Sequence, residues 1–289
     1  MFRKKKIGLV LGGGSAKGLA HIGVLKVLEE HNIKIDMISG ASIGALIGAL
    51  YLSGYSPKNL EEMIKNLNFK KLIDIGVPRS GLIKGDKMES YLRELLDEKK
   101  FSDLSAPLYI TAVDIVNYRE VVFSKGDLAK AIRASVSVPG IFRPVKNNGK
   151  ILVDGGVLDN LPIEILKDAG ADVIIAVNLS GNEKRKILYD VADKKKSEGK
   201  SPNIMAILAD SYRLMDREHT RLYLEKSGAD LMLHPDLRKV GFADFNKISA
   251  GIKAGEVEAR KKIGKIRRLG KRNLIRDLFR RGKSVISGN

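Results

Sequence analysis

The stretch ISGASIGALIGALYLSG, residues 38–54, decides how this chain of 289 residues is interpreted. No charged side chain lies between Met37 and Pro57, and glycines recur at four-residue spacing around Ser42. Three structures suit such a run: a membrane-spanning helix with a glycine face, a buried helix, or a strand–turn–helix unit that exposes a serine. The rest of the chain has to distinguish them.

The composition of this stretch argues against a membrane span. A bilayer crossing needs about 20 predominantly apolar residues, and many positions of 38–54 are Gly, Ala or Ser rather than Leu, Ile or Phe. The basic start of the chain precedes only a short apolar run, residues 7–11, which is too short for a signal peptide.

The absence of cysteine excludes disulfides, thiolate metal sites and a cysteine nucleophile. We therefore expect a cytoplasmic protein.

Strand and helix patterns alternate along the chain, which is typical of a layered α/β domain. Strand patterns cover residues 6–11, 35–39, 107–115, 120–123, 151–153 and 173–177, and a further strand ends at His234. Helix patterns cover residues 17–30, 42–52, 86–96, 128–134, 163–168, 203–225 and 247–268, and another helix opens at Ser56-Pro57.

A glycine-rich loop, GGGSAKG at 12–18, lies between the first strand and the first helix. Glycines let a backbone approach a ligand closely, and a helix start offers free N–H groups to an anion. The loop fails the dinucleotide fingerprint, because Lys17 or Ser15 falls where a glycine is required, and it is too short for a Walker loop. An oxyanion hole remains as the interpretation.

Ser42 stands in a G-x-S-x-G pentapeptide with Gly40 and Gly44. The pattern is weak alone, but here it follows a strand and precedes a buried helix, as a nucleophile elbow does. The alternative is a serine that merely caps the helix. The context favours the nucleophile, which makes 38–54 an elbow followed by a helix buried against the sheet.

A serine nucleophile needs a group that accepts its proton. Asp154 is one candidate, although Asp154-Gly155 between apolar runs is also a strong hairpin signal. Histidine is the other candidate, because the order Ser42, Asp154, then His219 or His234 matches that of α/β-hydrolases. In that fold, however, the serine lies several elements after the oxyanion loop, whereas here the two follow consecutive strands.

Four stretches together resemble the patatin-like lipid acyl hydrolases, above all the small bacterial members related to the esterase domain of neuropathy target esterase. They are residues 11–30 (LGGGSAKGLAHIGVLKVLEE), 40–46 (GASIGAL), 134–145 (ASVSVPGIFRPV) and 153–162 (VDGGVLDNLP). The resemblance implies a three-layer α/β/α sandwich with a central, mostly parallel sheet. Lys17 stands where arginine is common and Ser15 where glycine is frequent, which are mild differences because backbone N–H groups act at this loop.

The resemblance also implies a catalytic dyad without histidine. Ser42 would be the nucleophile, Asp154 would accept its proton, and water would hydrolyse the acyl-serine intermediate. The N–H groups of Gly13, Gly14 and Ser15 would hold the oxyanion. No metal or cofactor is implied. The supporting motif positions are Gly12, Lys17, Gly18, Gly40, Gly44, Gly155 and Gly156.

Two segments stand apart from the rest of the chain. We expect residues 1–200 to form the catalytic domain and 201–289 a helical extension packed on it. Residues 182–201 are polar and lysine-rich, which suits a solvated loop or a lid. Residues 260–283 carry twelve Lys or Arg and one acid, which suits a helix on an anionic membrane or a packed helix with a wet basic face.

The net charge of +18 favours an anionic partner. We expect a lipid or acyl-ester substrate and contact with the inner face of a membrane through Arg260–Lys283. Nucleic acid is disfavoured, because Phe279 is the single aromatic residue of the basic stretch. The leading function is a phospholipase A or lysophospholipase-type esterase. An acyl-thioester hydrolase or acyltransferase is the second possibility, and a non-enzymatic membrane- or partner-binding module is the third.

Overall fold

Strands and helices alternate in the computed structural model, which describes residues 5–67, 72–74, 81–180, 228–241 and 244–271, with 211, 214, 215, 218 and 220. The strands are β1 (Ile7–Leu11), β2 (Met37–Ala41), β3 (Leu108–Asp114), β4 (Arg119–Phe123), β5 (Val145–Asn147), β6 (Lys150–Asp154), β7 (Val173–Val177) and β8 (Leu231–Leu233). The helices are α1 (Leu19–Glu30), α2 (Ile43–Leu52), α3 (Pro57–Asn66), α4 (Asp86–Leu95), α5 (Leu128–Ser135), α6 (Ile163–Asp168) and α7 (Ile248–Gly270). The predicted loop or lid at 182–201 lies outside the described residues, as does most of the predicted helix at 203–225.

One sheet holds the eight strands in the order β5-β6-β3-β2-β1-β7-β8, with β4 paired to β3 off this path. The five strands from β3 to β8 in this order are parallel, and β4, β5 and β6 pair antiparallel. Alternate residues face opposite sides, so Leu9 and Leu11 join the core cluster beneath α1 and α2, whereas Val10 joins the cluster with α6. Helices therefore cover both faces, which confirms the predicted three-layer α/β/α fold.

Strand β3 is longer than β2, and the extra length gives the sheet its functional geometry. Along one side of β3, β4 pairs with Ile110–Asp114. Along the other side, β2 pairs as far as Ala41 opposite Thr111, and β6 arrives from the opposite direction with Asp154 opposite Ala112. The end of β2 therefore meets the end of β6 on adjacent positions of β3. We call the edge where the parallel strands end the carboxyl edge, and the other the amino edge.

The predicted helix at 247–268 is α7, which packs parallel to α1 with very close backbones. A Cβ atom added to Gly255 would overlap the carbonyl oxygen of Ala20, and one added to Gly23 would overlap that of Ile252. Glycine at these positions is therefore required by the close approach of the helices, as the small-residue spacing of α7 permits.

The basic second half of α7 lies at the amino edge of the sheet. Arg260 forms an ion pair of 2.6 Å with Glu30, the last residue of α1. Ten residues later, a Cβ on Gly270 would lie 3.2 Å from the side chain of Ile7, where β1 begins. The exposed cations of this half therefore lie at the edge opposite to Ser42, which follows the end of β2. Residues 272–283 of the predicted basic tail lie outside the described residues.

Candidate active site

The turn between β2 and α2 holds Ser42 in a backbone conformation that few non-glycine residues adopt. Its φ and ψ angles are 53° and −123°, which marks a strained position of the kind that concentrates at functional sites. The flanking glycines make the tight turn possible. A Cβ on Gly40 would lie 2.7 Å from the backbone N of Ala45, and one on Gly44 would overlap the carbonyl oxygen of Leu11.

Ser42 does not act as a helix cap. It occupies the N-cap position of α2, but its side chain makes no capping hydrogen bond. Instead, Ser42 Oγ donates to Asp154 Oδ2 at 2.6 Å, and both side chains are buried. The capping interpretation of Ser42 is therefore wrong, and the two residues that the motifs singled out lie in direct contact.

Asp154 sits at the end of β6 rather than in a hairpin turn. Its second carboxylate oxygen, Oδ1, accepts from the N–H of Gly156 at 2.8 Å, within a 3-10 turn over Gly155–Val157. Gly155 is needed here because a Cβ would overlap the side chain of Thr111. The hairpin turn of this region lies earlier, between β5 and β6, so the hairpin interpretation of Asp154-Gly155 is wrong. One oxygen orients the carboxylate and the other faces Ser42.

The glycine loop approaches Ser42 from the end of β1. The N–H of Gly12 donates to Val177 O at 3.2 Å, and the N–H of Gly13 donates to Asn160 O at 3.1 Å. Gly13 is thus engaged in a backbone hydrogen bond, in contrast to the oxyanion role expected for its N–H. Gly14 has a φ of 155° and Ser15 a φ of 52°. Within the described residues, no group accepts a hydrogen bond from the N–H of Gly14 or Ser15.

The supporting motif residues lie around this loop. Lys17 and Gly18 belong to a 3-10 turn, Ser15–Gly18, that leads into α1. A Cβ on Gly18 would overlap the side chain of Ile43, the residue after Ser42. This glycine therefore lets the turn pack directly against the start of α2.

Two further buried side chains hold the glycine loop, and sequence reasoning did not assign them. His21 lies on the first turn of α1, and its Nε2 donates to Gly12 O at 2.7 Å. Burial lowers the pKa of His21 to about 4, so the ring is neutral at neutral pH. Asn160 Nδ2 donates to Gly13 O at 3.2 Å. The signal for both was present, because each residue falls inside a stretch that carries the family resemblance.

The end of α5 and the residues that follow it hold both members of the Ser42–Asp154 pair. The backbone N–H of Ser42 donates to Ser135 Oγ at 2.9 Å, and Ser135 is fully buried. The backbone N–H of Asp154 donates to Ser137 O at 3.0 Å. Two residues that lie two positions apart, Ser135 and Ser137, therefore anchor the backbones of both members of the pair.

Arg133 holds the residues that follow α5 in place through hydrogen bonds. The buried guanidinium donates to Ser137 Oγ at 2.5 Å, to Gly85 O at 3.1 Å and to Arg143 O at 2.9 Å. It also lies over the ring of Phe142, 5.4 Å from the centroid. Burial lowers the pKa of Arg133 from its ordinary value. Its hydrogen bonds join the loop before α4 to the loop after α5.

A cavity of about 560 Å³ opens beside Ser42, and its walls are almost entirely apolar. Ser15 and Ser42 belong to its lining, and Leu46 and Leu50 line it further along α2. Among the described residues that line it, none carries a formal charge, and Tyr91 adds a hydroxyl group. The apolar lining includes Leu46, Leu50, Met63, Leu92, Phe142 and Phe245.

Among the described residues, no histidine forms a hydrogen bond with Ser42. His234 follows β8, burial lowers its pKa, and the charged groups around it are Glu258 and Lys262 of α7. His219 lies outside the described residues. Within the described part of the chain, no cluster of three or more His, Cys, Asp or Glu could hold a metal.

Residues 38–54 form β2 and the ten-residue α2 inside the core, which confirms the predicted strand, turn and buried helix. Among the described helices, none has the length and hydrophobicity that a bilayer crossing requires.

A layered α/β protein with a serine at a strained strand–helix turn, hydrogen-bonded to a buried aspartate, defines a class of candidate serine hydrolases. The model of one family, patatin-like phospholipase, matches residues 9–167, which include the glycine loop, Ser42 and Asp154. The chain belongs to the patatin-like phospholipase family.

Proteins of similar sequence carry names that agree with this family assignment. An NTE family protein of Mycobacterium bovis is 33% identical over 180 residues, which cover 62% of this chain and 50% of that protein. Lysophospholipase NTE1 of Eremothecium gossypii is 34% identical over 185 residues, which cover 62% of this chain and 12% of that protein. The match therefore spans half or less of these relatives.

A solved structure shows the same fold. VipD from Legionella pneumophila superimposes with a TM-score of 0.58 at 16% identity, over 89% of this chain and 66% of that chain.

Proposed function

We propose that the chain is a serine lipid acyl hydrolase of the phospholipase A or lysophospholipase type, which uses Ser42 and Asp154 as a dyad. The observation that carries this proposal is the hydrogen bond of 2.6 Å from Ser42 Oγ to Asp154 Oδ2, with Ser42 in the lining of an apolar cavity. A carboxylate in this position can take the serine proton directly, without an intervening imidazole.

The proposed reaction has two halves. Ser42 Oγ attacks the acyl carbonyl carbon while its proton passes to Asp154 Oδ2, and a tetrahedral oxyanion forms. The ester C–O bond then breaks, Asp154 returns the proton to the leaving alcohol, and an acyl-Ser42 ester remains. Water attacks this ester, again giving a proton to Asp154, and the second collapse releases the fatty acid and restores Ser42.

The oxyanion would be held by the N–H groups of Gly14 and Ser15. Their N–H groups are not committed to other described residues, whereas that of Gly13 already donates to Asn160 O. One such donor is typically worth ~10²–10³ in rate. Ser15 also lines the cavity beside Ser42, which supports its place in this role.

The cavity supports an acyl chain as the group that enters the protein. Its lining is apolar, and none of the described residues that form it carries a charge to receive a head group. Burial of each methylene contributes about 0.8 kcal/mol. A lipid acyl group is therefore a better fit than a small polar ester, and the relatives named lysophospholipase agree with this choice.

Labelling with a fluorophosphonate probe tests the proposed dyad. Ser42→Ala should abolish labelling and Asp154→Asn should slow it strongly, whereas His219→Ala and His234→Ala should label like the parent. Thermal unfolding of each variant checks the fold. Labelling that needs a histidine and survives Asp154→Asn contradicts the dyad.

A substrate panel tests the proposed chemistry. The parent should release fatty acid from lysophospholipid and phospholipid faster than it cleaves an acyl-thioester of the same chain length. Faster thioester cleavage, or transfer of the acyl group to an added alcohol in place of hydrolysis, contradicts the assignment as a lipid acyl hydrolase.

A further inference from the structure

Two neighbouring hairpins extend the carboxyl edge of the sheet beyond Ser42. Ser42 follows Ala41, which pairs with Thr111, but β3 continues for three more residues to Asp114. At about 3.3 Å per residue this places the β3–β4 turn roughly 10 Å beyond the level of Ser42. The β5–β6 hairpin lies beside it, because the N–H of Ile115 donates to Ile151 O at 3.0 Å.

The β3–β4 turn presents apolar side chains to solvent. Ile115 is 42% exposed, Val116 is 49% exposed and Tyr118 is 88% exposed. Isolated exposed apolar residues are ordinary, but three within four consecutive positions are not expected of a turn whose role is connection. Their arrangement at a projecting tip favours contact with an apolar surface outside the molecule.

The turn is built to hold these side chains outward. The buried carboxylate of Asp114 accepts from the N–H of Val116 at 3.1 Å and from Asn117 Nδ2 at 2.7 Å. Tyr118 has a φ of 49°, which is unusual for a bulky residue. An internal carboxylate and a left-handed residue thus fix a turn that buries none of its three large apolar groups.

Cations flank the exposed tip. Arg119 follows Tyr118 at the start of β4, and Lys146 lies on the neighbouring β5; both are exposed. Apolar and tyrosine side chains with two cations beside them match the region where lipid head groups meet acyl chains, since tyrosine is enriched there and cations attract anionic lipids.

The basic half of α7 cannot bring the Ser42 edge of the sheet to a bilayer. It lies at the amino edge, where Gly270 approaches Ile7, whereas Ser42 lies at the carboxyl edge. A bilayer bound to that part of α7 would face the edge of the sheet away from Ser42. The hairpin tip lies on the same edge as Ser42.

We propose that the tip formed by Ile115, Val116 and Tyr118, with Arg119 and Lys146 beside it, docks on an anionic lipid bilayer and brings the Ser42 edge to the lipid. We call these five residues the hairpin surface. This inference rests on the proposed function, because a lipid substrate gives the docking its purpose, but the binding step does not depend on hydrolysis.

The first test measures binding of the full chain carrying Ser42→Ala, so that no lipid is consumed. Sedimentation with vesicles of phosphatidylglycerol and phosphatidylcholine gives the bound fraction. Adding Val116→Ser and Tyr118→Asn should weaken binding at least about tenfold, and Asn tolerates the positive φ of position 118. Val257→Ser is the matched control, because Val257 is 55% exposed on α7, and it should bind like the parent.

A second pair of variants tests the charges. Each cation near an anionic surface contributes about fivefold in binding, so Arg119→Glu with Lys146→Glu should weaken binding at least about tenfold. Arg267→Glu with Arg268→Glu, at the amino edge, should leave it within about twofold. On vesicles of phosphatidylcholine alone, which carry no net charge, the variant with Arg119→Glu and Lys146→Glu should bind as the parent does.

Three results would overturn the proposal. The first is unchanged vesicle binding in both hairpin variants, and the second is loss of binding in the α7 pair alone, which would favour the basic-tail prediction. The third is a change of mass by light scattering in the hairpin variants, which would assign the surface to a second copy. The two proposals can fail separately. If vesicle binding depends on the hairpin surface but the parent releases no fatty acid, the proposed function is wrong and the docking proposal stands.

Discussion

The backbone N–H of Ser42 donates to the hydroxyl oxygen of Ser135 at 2.9 Å, across 93 positions of sequence. This contact supports a residue whose φ is positive and whose side chain faces Asp154. Ser135 is thus a positioning residue: it touches the backbone of the nucleophile and not the reacting atoms.

Ser135→Ala should lower kcat by about tenfold and leave KM nearly unchanged. The substitution leaves the buried N–H of Ser42 without its acceptor, which costs about 1–3 kcal/mol, and the strained turn can then relax. Steady-state kinetics on a soluble ester measure the effect. Ser105→Ala is the control, because its hydroxyl donates to Leu52 O away from the site. Equal losses in both variants would indicate a general effect on folding.

Asn160 is expected to set the position of the glycine loop. Its side-chain Nδ2 donates to Gly13 O, while its backbone carbonyl oxygen accepts from the N–H of Gly13. Asn160→Asp should lower kcat more than Asn160→Ala, since a carboxylate oxygen would face the Gly13 carbonyl oxygen, whereas alanine only removes the donor. The rate of fluorophosphonate labelling should fall in the same order. Labelling faster in the aspartate variant than in the alanine variant would contradict this arrangement.

Much of the fold followed from the sequence because its elements have local signals. Apolar runs and helical periodicity located most of the strands and helices, and among the strands that the structure describes only the short β5 went unpredicted. The pairing of Ser42 with Asp154, 112 positions apart, had no local signal, because it depends on β2 and β6 sharing one side of β3. Motif resemblance supplied that pair. It did not supply the roles of His21 and Ser135, which depend on which backbone groups they meet after folding.

His21 should make the stability of the protein fall in mild acid. Its pKa is lowered from 6.5 to about 4 by burial, so between these values the unfolded chain binds a proton that the folded chain does not. The free energy of unfolding therefore decreases as the pH falls from 6.5 towards 4, by up to about 3 kcal/mol at 1.36 kcal/mol per pKa unit. Urea unfolding at pH 7 and pH 5 measures the loss.

His21→Gln provides the comparison for this pH effect. Glutamine can still donate to Gly12 O but does not titrate, so the variant should be less stable at pH 7 and less sensitive to the change to pH 5. An unaltered difference in unfolding free energy between the two pH values would show that other groups cause the acid sensitivity.

The depth of the cavity should set the preferred acyl length. Leu46 and Leu50 follow Ser42 by four and eight positions on α2, so Leu50 lies about 12 Å along the helix from the nucleophile. Leu50→Phe should reduce kcat/KM for long acyl esters at least about tenfold and spare butyryl esters, since a ring there displaces distal methylenes. Leu46→Phe should move the cutoff to shorter chains. A uniform loss across chain lengths would mean that acyl groups do not enter along α2.

The contact of α7 with α1 should tolerate no side chain at Gly255. A Cβ there would overlap the carbonyl oxygen of Ala20, so Gly255→Ala has to separate two packed helices and should destabilise the protein by several kcal/mol, on the order of the cost of overpacking. Gly264→Ala, on the same helix with no atom within 4 Å of its added Cβ, should instead stabilise by up to about 1 kcal/mol through helix propensity. Thermal unfolding of both variants compares them directly. Similar midpoints for the two would show that α7 and α1 do not meet through their backbones, and that α7 does not hold its basic half at the amino edge.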